Sequence, residues 1–136
     1  MNKIVKVIGA GLAGVEVANY LANNGIEVNL YDIKPNSFTP AHKSKNFGEL
    51  VCSNSLKSND IYGNACGLLK EELRKLNSLV IEAGDKCSVP AGNALAVDRE
   101  KFAEFITEKI KANKNIKIYS ILLFFYKKSK KMSDFF

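Results

Sequence analysis

Val5-Lys6-Val7-Ile8-Gly9-Ala10-Gly11-Leu12-Ala13-Gly14 is a short apolar strand running straight into G-x-G-x-x-G, and Asp32 ends a second apolar strand further on. These residue types at this spacing suit the binding of a diphosphate. The first glycine permits a tight strand-to-helix turn, the second lets backbone amides approach a pyrophosphate, and the third lets helix and strand pack closely. Unpaired N–H groups and the positive end of the helix dipole then face the phosphates. A carboxylate roughly 20 residues on receives hydrogen bonds from a ribose hydroxyl. Asp32 follows Gly14 by 18 residues. An acid there favours a free ribose 2′-hydroxyl, and so FAD or NAD over NADP.

Several elements must position this loop. Lys3–Ile8 is a near-continuous apolar run, as expected of a strand covered on both faces. Leu12–Asn24 has helical period, with Leu12, Val15, Ala18, Leu21 and Ala22 on the packing side, and Gly25 suits the left-handed turn that ends a helix. Glu27–Asp32 is the second strand, with Val28 and Leu30 on one face. The fold class is therefore α/β, a Rossmann-like FAD/NAD(P)-binding unit with a parallel sheet. At 136 residues the unit is expected to be incomplete, a truncated domain lacking later strands and a substrate domain.

Further along, Lys34 to Asn64 is a long polar stretch, the kind of loop that tends to be functional. At its centre stands Glu49-Leu50-Val51-Cys52-Ser53-Asn54-Ser55-Leu56. The Leu69, Leu73, Leu76, Val80 and Ala83 spacing predicts one amphipathic helix over Gly67–Ala83, ended by Gly84. Val89-Pro90-Ala91-Gly92 reads as a turn and Ala94–Val97 as a short strand. Asp98 caps a helix from Arg99 to about Lys111, buried through Phe102, Phe105, Ile106 and Ile110. Asn115–Tyr119 reads as a third parallel strand.

Composition sets limits. Three cysteines, Cys52, Cys66 and Cys87, lack C-x-x-C spacing, and the chain has one histidine. Neither a metal site nor a disulfide framework is suggested, and reduced thiols fit best. No stretch reaches the length of a membrane span, and the amino terminus reads as a strand without a secretory leader, so a cytoplasmic location is expected. Of the net charge of +6, residues 1–119 carry +3 and residues 120–136 another +3. Such a mildly basic body does not by itself establish nucleic-acid binding. Residues 120–136 differ abruptly from the body, with an apolar run Ile121–Tyr126 and the lysine cluster Lys127–Lys131. They read as an aberrant tail, out-of-frame or read-through sequence. A plain strand over Ile118–Tyr126 is the alternative.

Four strings carry a resemblance: Thr39–His42, Glu49–Leu56, Gly67–Glu72 and Val89–Arg99. Together with the glycine motif they resemble the amino-terminal region of the methylenetetrahydrofolate–tRNA-(uracil-5-)-methyltransferase (TrmFO) family, relatives of the GidA/MnmG tRNA-modifying flavoproteins. The resemblance covers residues 3 to about 119. It implies FAD as cofactor, methylenetetrahydrofolate and NAD(P)H as co-substrates, and a tRNA T-loop uridine as the methyl acceptor. Uracil C5 is a poor nucleophile, and a thiolate adding at C6 creates the enolate that attacks, so a cysteine near the flavin makes chemical sense.

Cys52 matches the family's catalytic cysteine. Gly9, Ala10, Gly11, Leu12, Ala13, Gly14 and Asp32 carry over as FAD contacts. Lys34 lies near the adenosine phosphate or is a solvated loop lysine. Arg99, at a helix start unfavourable for its charge, meets a cofactor phosphate or is a surface arginine. His42 touches flavin or tRNA or is an ordinary exposed residue. Cys66 and Cys87 match no motif and read as small core or surface thiols. Asp32 stands where the family more often has glutamate, and Asn93 replaces a second glycine. The competing readings are a non-catalytic dinucleotide-binding remnant and a GidA/MnmG-type wobble-uridine modification protein. A chain this short is expected to be inactive alone.

Overall fold

A computed structural model describes residues 4–120. Of the tail expected over 120–136, residues 121–136 lie outside the described residues. Strand β1 (Val5–Ile8) runs into helix α1 (Leu12–Asn23), which returns the chain to β2 (Val28–Asp32) alongside β1. A long excursion follows before helix α4 (Arg99–Ala112) leads to β6 (Ile116–Ser120) on the other side of β2. All three strands are parallel, in the order β1-β2-β6, as parallel strands joined by helical crossovers require. Register is fixed by pairs such as Val7 with Leu30 and Leu30 with Ile118.

The excursion builds a second sheet, of which the sequence announces only the strand Ala94–Val97. Strands β3 (Ser55–Ser58) and β4 (Ser88–Val89) flank β5 (Ala94–Val97), all antiparallel. Lys57 lies in the left-handed region (φ 70°), and there the β3–β5 register shifts.

Between β3 and β4 come α2 (Ala65–Lys75) and α3 (Leu79–Lys86). The single helix expected over Gly67–Ala83 is thus two. Asn77 turns left-handed (φ 57°), and Ser78 caps α3 through its hydroxyl, which accepts from the Ile81 amide. The break splits the leucine stripe, leaving Leu69 and Leu76 exposed. Gly84 does not end a helix. It lies within α3, where a Cβ would press on Leu56 and Leu95.

The core gathers Val15, Ala18 and Ala22 of α1, Val28 and Leu30 of β2, and Phe102, Ile106 and Ile110 of α4. Small residues on α1 let it lie close to the sheet. Gly25 (φ 77°) closes α1 as expected, with the Ile26 amide donating to the Leu21 carbonyl. One expectation fails at β1. Val5 and Val7 are half-buried, but Ile4 and Ile8 are exposed, so the strand is covered on one face only among the described residues.

Candidate functional site: a glycine loop tied to a thiol-bearing segment

The turn between β1 and α1 is as tight as its glycines allow. Gly9 has φ 95°, a conformation other residues adopt only with strain. A Cβ on Gly14 would lie 1.7 Å from the Gly9 carbonyl oxygen, so only glycine lets α1 start there. A Cβ on Gly11 would meet nothing within 4 Å. No side chain caps α1. The helix mouth is therefore open and lined by backbone.

Asp32 reaches back to this loop. Its Oδ2 accepts from the Ala10 amide at 2.6 Å, and its Oδ1 accepts from the Lys34 amide at 2.8 Å. The strand-end carboxylate and the glycine turn thus form one surface.

Lys34 is not the solvated loop lysine of one expectation. It is 4% exposed. Its ammonium donates to the Asn46 carbonyl at 2.6 Å and to Glu49 Oε2 at 2.8 Å. The Glu49 carboxylate also accepts from the amides of Lys43 and Ser44. Burial opposes ionisation of Glu49, but the Lys34 hydrogen bond, the Lys43 amide and the Lys34 charge together hold its carboxyl below the usual value.

The 43–52 segment is fastened at two more points. The Gly48 amide donates to the Ala10 carbonyl at 2.9 Å, and the buried Phe47 amide donates to Thr107 Oγ1 of α4 at 2.8 Å. Gly48 has φ 63°, and a Cβ there would lie 2.8 Å from Ile106. The sequence assigned no role to Phe47, Gly48 or Thr107, and none to Glu49 beyond its place in the Glu49–Leu56 string. The one available signal was an apolar-glycine pair inside a polar loop.

Three residues past Glu49 comes Cys52, exposed. With Ser53, Asn54, Val97, Asp98 and Arg99 it lines an open cavity of about 630 Å³. Arg99 also borders a neighbouring cavity of about 370 Å³ beside Lys43, Ser44 and Glu49. It is the first residue of α4, is exposed, and has no carboxylate partner among the described residues. Asp98 caps the helix as expected, accepting from the amides of Glu100 and Lys101. The structure thus brings Cys52 and Arg99 to one cavity, and Asp32 to the glycine loop.

The remaining candidates do not line this cavity. His42 is half-buried, its Nδ1 2.7 Å from Thr39 Oγ1. Cys66 is exposed on α2, and Cys87 is partly buried after α3. Burial, with the Asp98 charge adding to it, pushes the Cys87 thiol up. Among the described residues no cluster of His, Cys, Asp and Glu is suited to a metal ion. No described helix is long and apolar enough to cross a membrane.

A family model described as glucose inhibited division protein A (GidA) matches residues 4–122. A methylenetetrahydrofolate–tRNA-(uracil-5-)-methyltransferase TrmFO from Acholeplasma laidlawii is 57% identical over 115 residues, which is 85% of this chain and 27% of that protein. The protein of the same name from Enterococcus faecalis is 57% identical over 118 residues, 87% of this chain and 27% of its own length. This chain therefore spans about a quarter of such relatives. Among solved structures, Aquifex aeolicus GidA superposes with a TM-score of 0.64 at 18% identity, covering 85% of this chain and 19% of that one. The tetrameric form of 2-methyl-3-hydroxypyridine-5-carboxylic acid oxygenase gives 0.52 at 15% identity, covering 88% and 31%. At these identities the two structures speak for the fold.

Proposed function

The chain belongs to the GidA family, and from that premise we propose that it is the dinucleotide-binding portion of a folate- and FAD-dependent tRNA (uracil-5-)-methyltransferase. The observation that carries this reading is the glycine loop. Gly14 is packed on Gly9 with no room for a side chain, Gly11 opens onto empty space, and Asp32 closes the loop through the Ala10 amide. Such a loop fits a diphosphate at the amides of Leu12, Ala13 and Gly14 and a ribose at Asp32. The identity to TrmFO proteins directs the choice toward FAD.

In this reading the chain's own residues do three things. The backbone of Gly9 to Gly14 holds the diphosphate. Arg99, exposed at the edge of the Cys52 cavity, offers a bidentate donor to a phosphate or nucleotide oxygen. Cys52 presents a thiol that, as thiolate, adds to C6 of the target uridine in the tRNA T-loop and makes C5 nucleophilic. Reduced flavin, when bound, supplies the electrons that bring a folate-borne one-carbon unit to the methyl level, with NAD(P)H as their source. The enzyme would act in the cytoplasm, where tRNA is modified.

The chain spans 27% of its relatives' length, which favours binding without turnover for the chain by itself. A wobble-uridine modification protein of the GidA/MnmG type is the rival within the family, and the identity to TrmFO proteins speaks against it. Titrating the purified chain with FAD, monitored by flavin fluorescence quenching, tests the proposal. Saturable FAD binding with no competition from NAD is expected. A chain that binds neither dinucleotide would overturn it.

A further inference from the structure

Lys34 is a charged side chain, buried, two residues past Asp32 and bonded to the segment that leads to Cys52. Its main chain and its side chain bond to different partners. The main-chain amide holds Asp32 Oδ1 at 2.8 Å. The ammonium, 15 residues away in sequence from its acid, holds Glu49 Oε2 at 2.8 Å and the Asn46 carbonyl at 2.6 Å. Glu49 passes the restraint on to the Lys43 and Ser44 amides. The segment so gathered leads in three residues to Cys52.

We propose that Lys34 is a positioning residue: through its ion pair with Glu49 it fixes the Cys52-bearing segment against the glycine loop, so that dinucleotide binding and the placement of the thiol are one structural event. This rests on the reading of the glycine loop as a dinucleotide site. Two features support it. A buried ion pair adds little net stability but selects one geometry, because misplacing either partner strands a charge. No β-ladder residue lies between Lys34 and Cys52. Side-chain bonds to backbone therefore do what a sheet would otherwise do. The Gly48 amide on the Ala10 carbonyl and the Phe47 amide on Thr107 are the other fastenings, and both fall within two residues of Glu49.

The test uses the full 136-residue chain with FAD as the probe. Amide hydrogen exchange is followed over residues 43–50 and over α4. Iodoacetamide alkylation is read by mass spectrometry at Cys52, Cys66 and Cys87 together, so that the last two report on the rest of the fold. In Lys34→Met, exchange at Lys43, Ser44 and Gly48 should speed up about tenfold or more, with α4 unchanged. FAD should slow Cys52 alkylation about fivefold or more in the native chain and less than about twofold in Lys34→Met, although FAD still binds. Lys34→Arg, which keeps the charge, should restore both. Native exchange over 43–50 in Lys34→Met, or undiminished protection of Cys52, overturns the proposal. Should Lys34→Met loosen the whole chain, seen at α4 and Cys87, Glu49→Gln decides the matter, since unchanged exchange over 43–50 in that variant is equally fatal. If FAD does not bind the native chain, the dinucleotide reading fails, while the exchange comparison still rules on Lys34.

Discussion

The Ser78 hydroxyl donates to Glu16 Oε2 at 2.9 Å, joining the middle of α1 to the start of α3 across 62 residues of sequence. The same carboxylate accepts from the amides of Leu79 at 3.1 Å and Val80 at 2.9 Å. A negative charge at a helix start meets both the unpaired amides and the positive end of the dipole. Glu16→Ala removes three bonds from a partly buried site, and a loss of about 1–2 kcal/mol is expected. Urea unfolding followed by circular dichroism measures it. Glu16→Gln, which keeps an acceptor, should lose less.

Gly11 and Gly14 separate binding from folding. A methyl at Gly14 collides with backbone, so Gly14→Ala should prevent α1 from packing and give a chain without a cooperative unfolding transition. A methyl at Gly11 has room in the fold but occupies the diphosphate's approach. Gly11→Ala should keep the native melting curve and weaken FAD binding about tenfold or more. Calorimetry and a flavin titration on the two variants provide the comparison.

How much of this arrangement could be read beforehand depended on distance along the chain. The glycine loop, Gly25, Val28, Leu30, Asp32 and the Asp98 cap were legible, because periodicity and turn chemistry are local. The break at Asn77 was not, because the leucine spacing ran through it and outweighed an Asn-Ser pair that favours a turn and a cap. The strand Ser55–Ser58 was missed for the opposite reason. It is polar apart from Leu56 and exists through pairing with β5, some 40 residues away. The burial of Lys34 was not legible because its acid partner, Glu49, lies 15 residues away in sequence.

Thr107 is buried on α4 and serves two partners, donating to the Ala103 carbonyl at 2.7 Å and accepting from the Phe47 amide. Thr107→Val preserves shape and strands that amide. A cost of about 1–2 kcal/mol is expected, with faster hydrogen exchange at Phe47 and little change at Ile110. Equal acceleration at both sites would mean the effect is not local.

The acid limb of stability should involve Glu49. Its carboxyl, ordinarily near 4.5, is held lower in the folded chain. A carboxyl lowered on folding contributes its full stabilisation above its unfolded value and loses it as pH falls through its folded one. The amide shifts of Lys43 and Ser44 in NMR spectra should therefore titrate with a midpoint below 4.5. A midpoint at or above that value contradicts the arrangement.

The thiols should differ in reactivity. Cys52 and Cys66 are exposed, whereas burial and the Asp98 charge disfavour the Cys87 thiolate. Iodoacetamide near pH 8 should modify Cys87 last, and mass spectrometry of a timed series reads the order directly.

The outer side of β1 carries a practical consequence. Ile8 is 78% exposed, with Ile4, Val17 and Tyr20 nearby in the chain also open to water. Among the described residues β1 is an edge strand of its sheet, and of its four residues only Lys6 is charged. Such an edge is where an extended peptide would add, and Ile8→Lys is expected to make that addition less favourable.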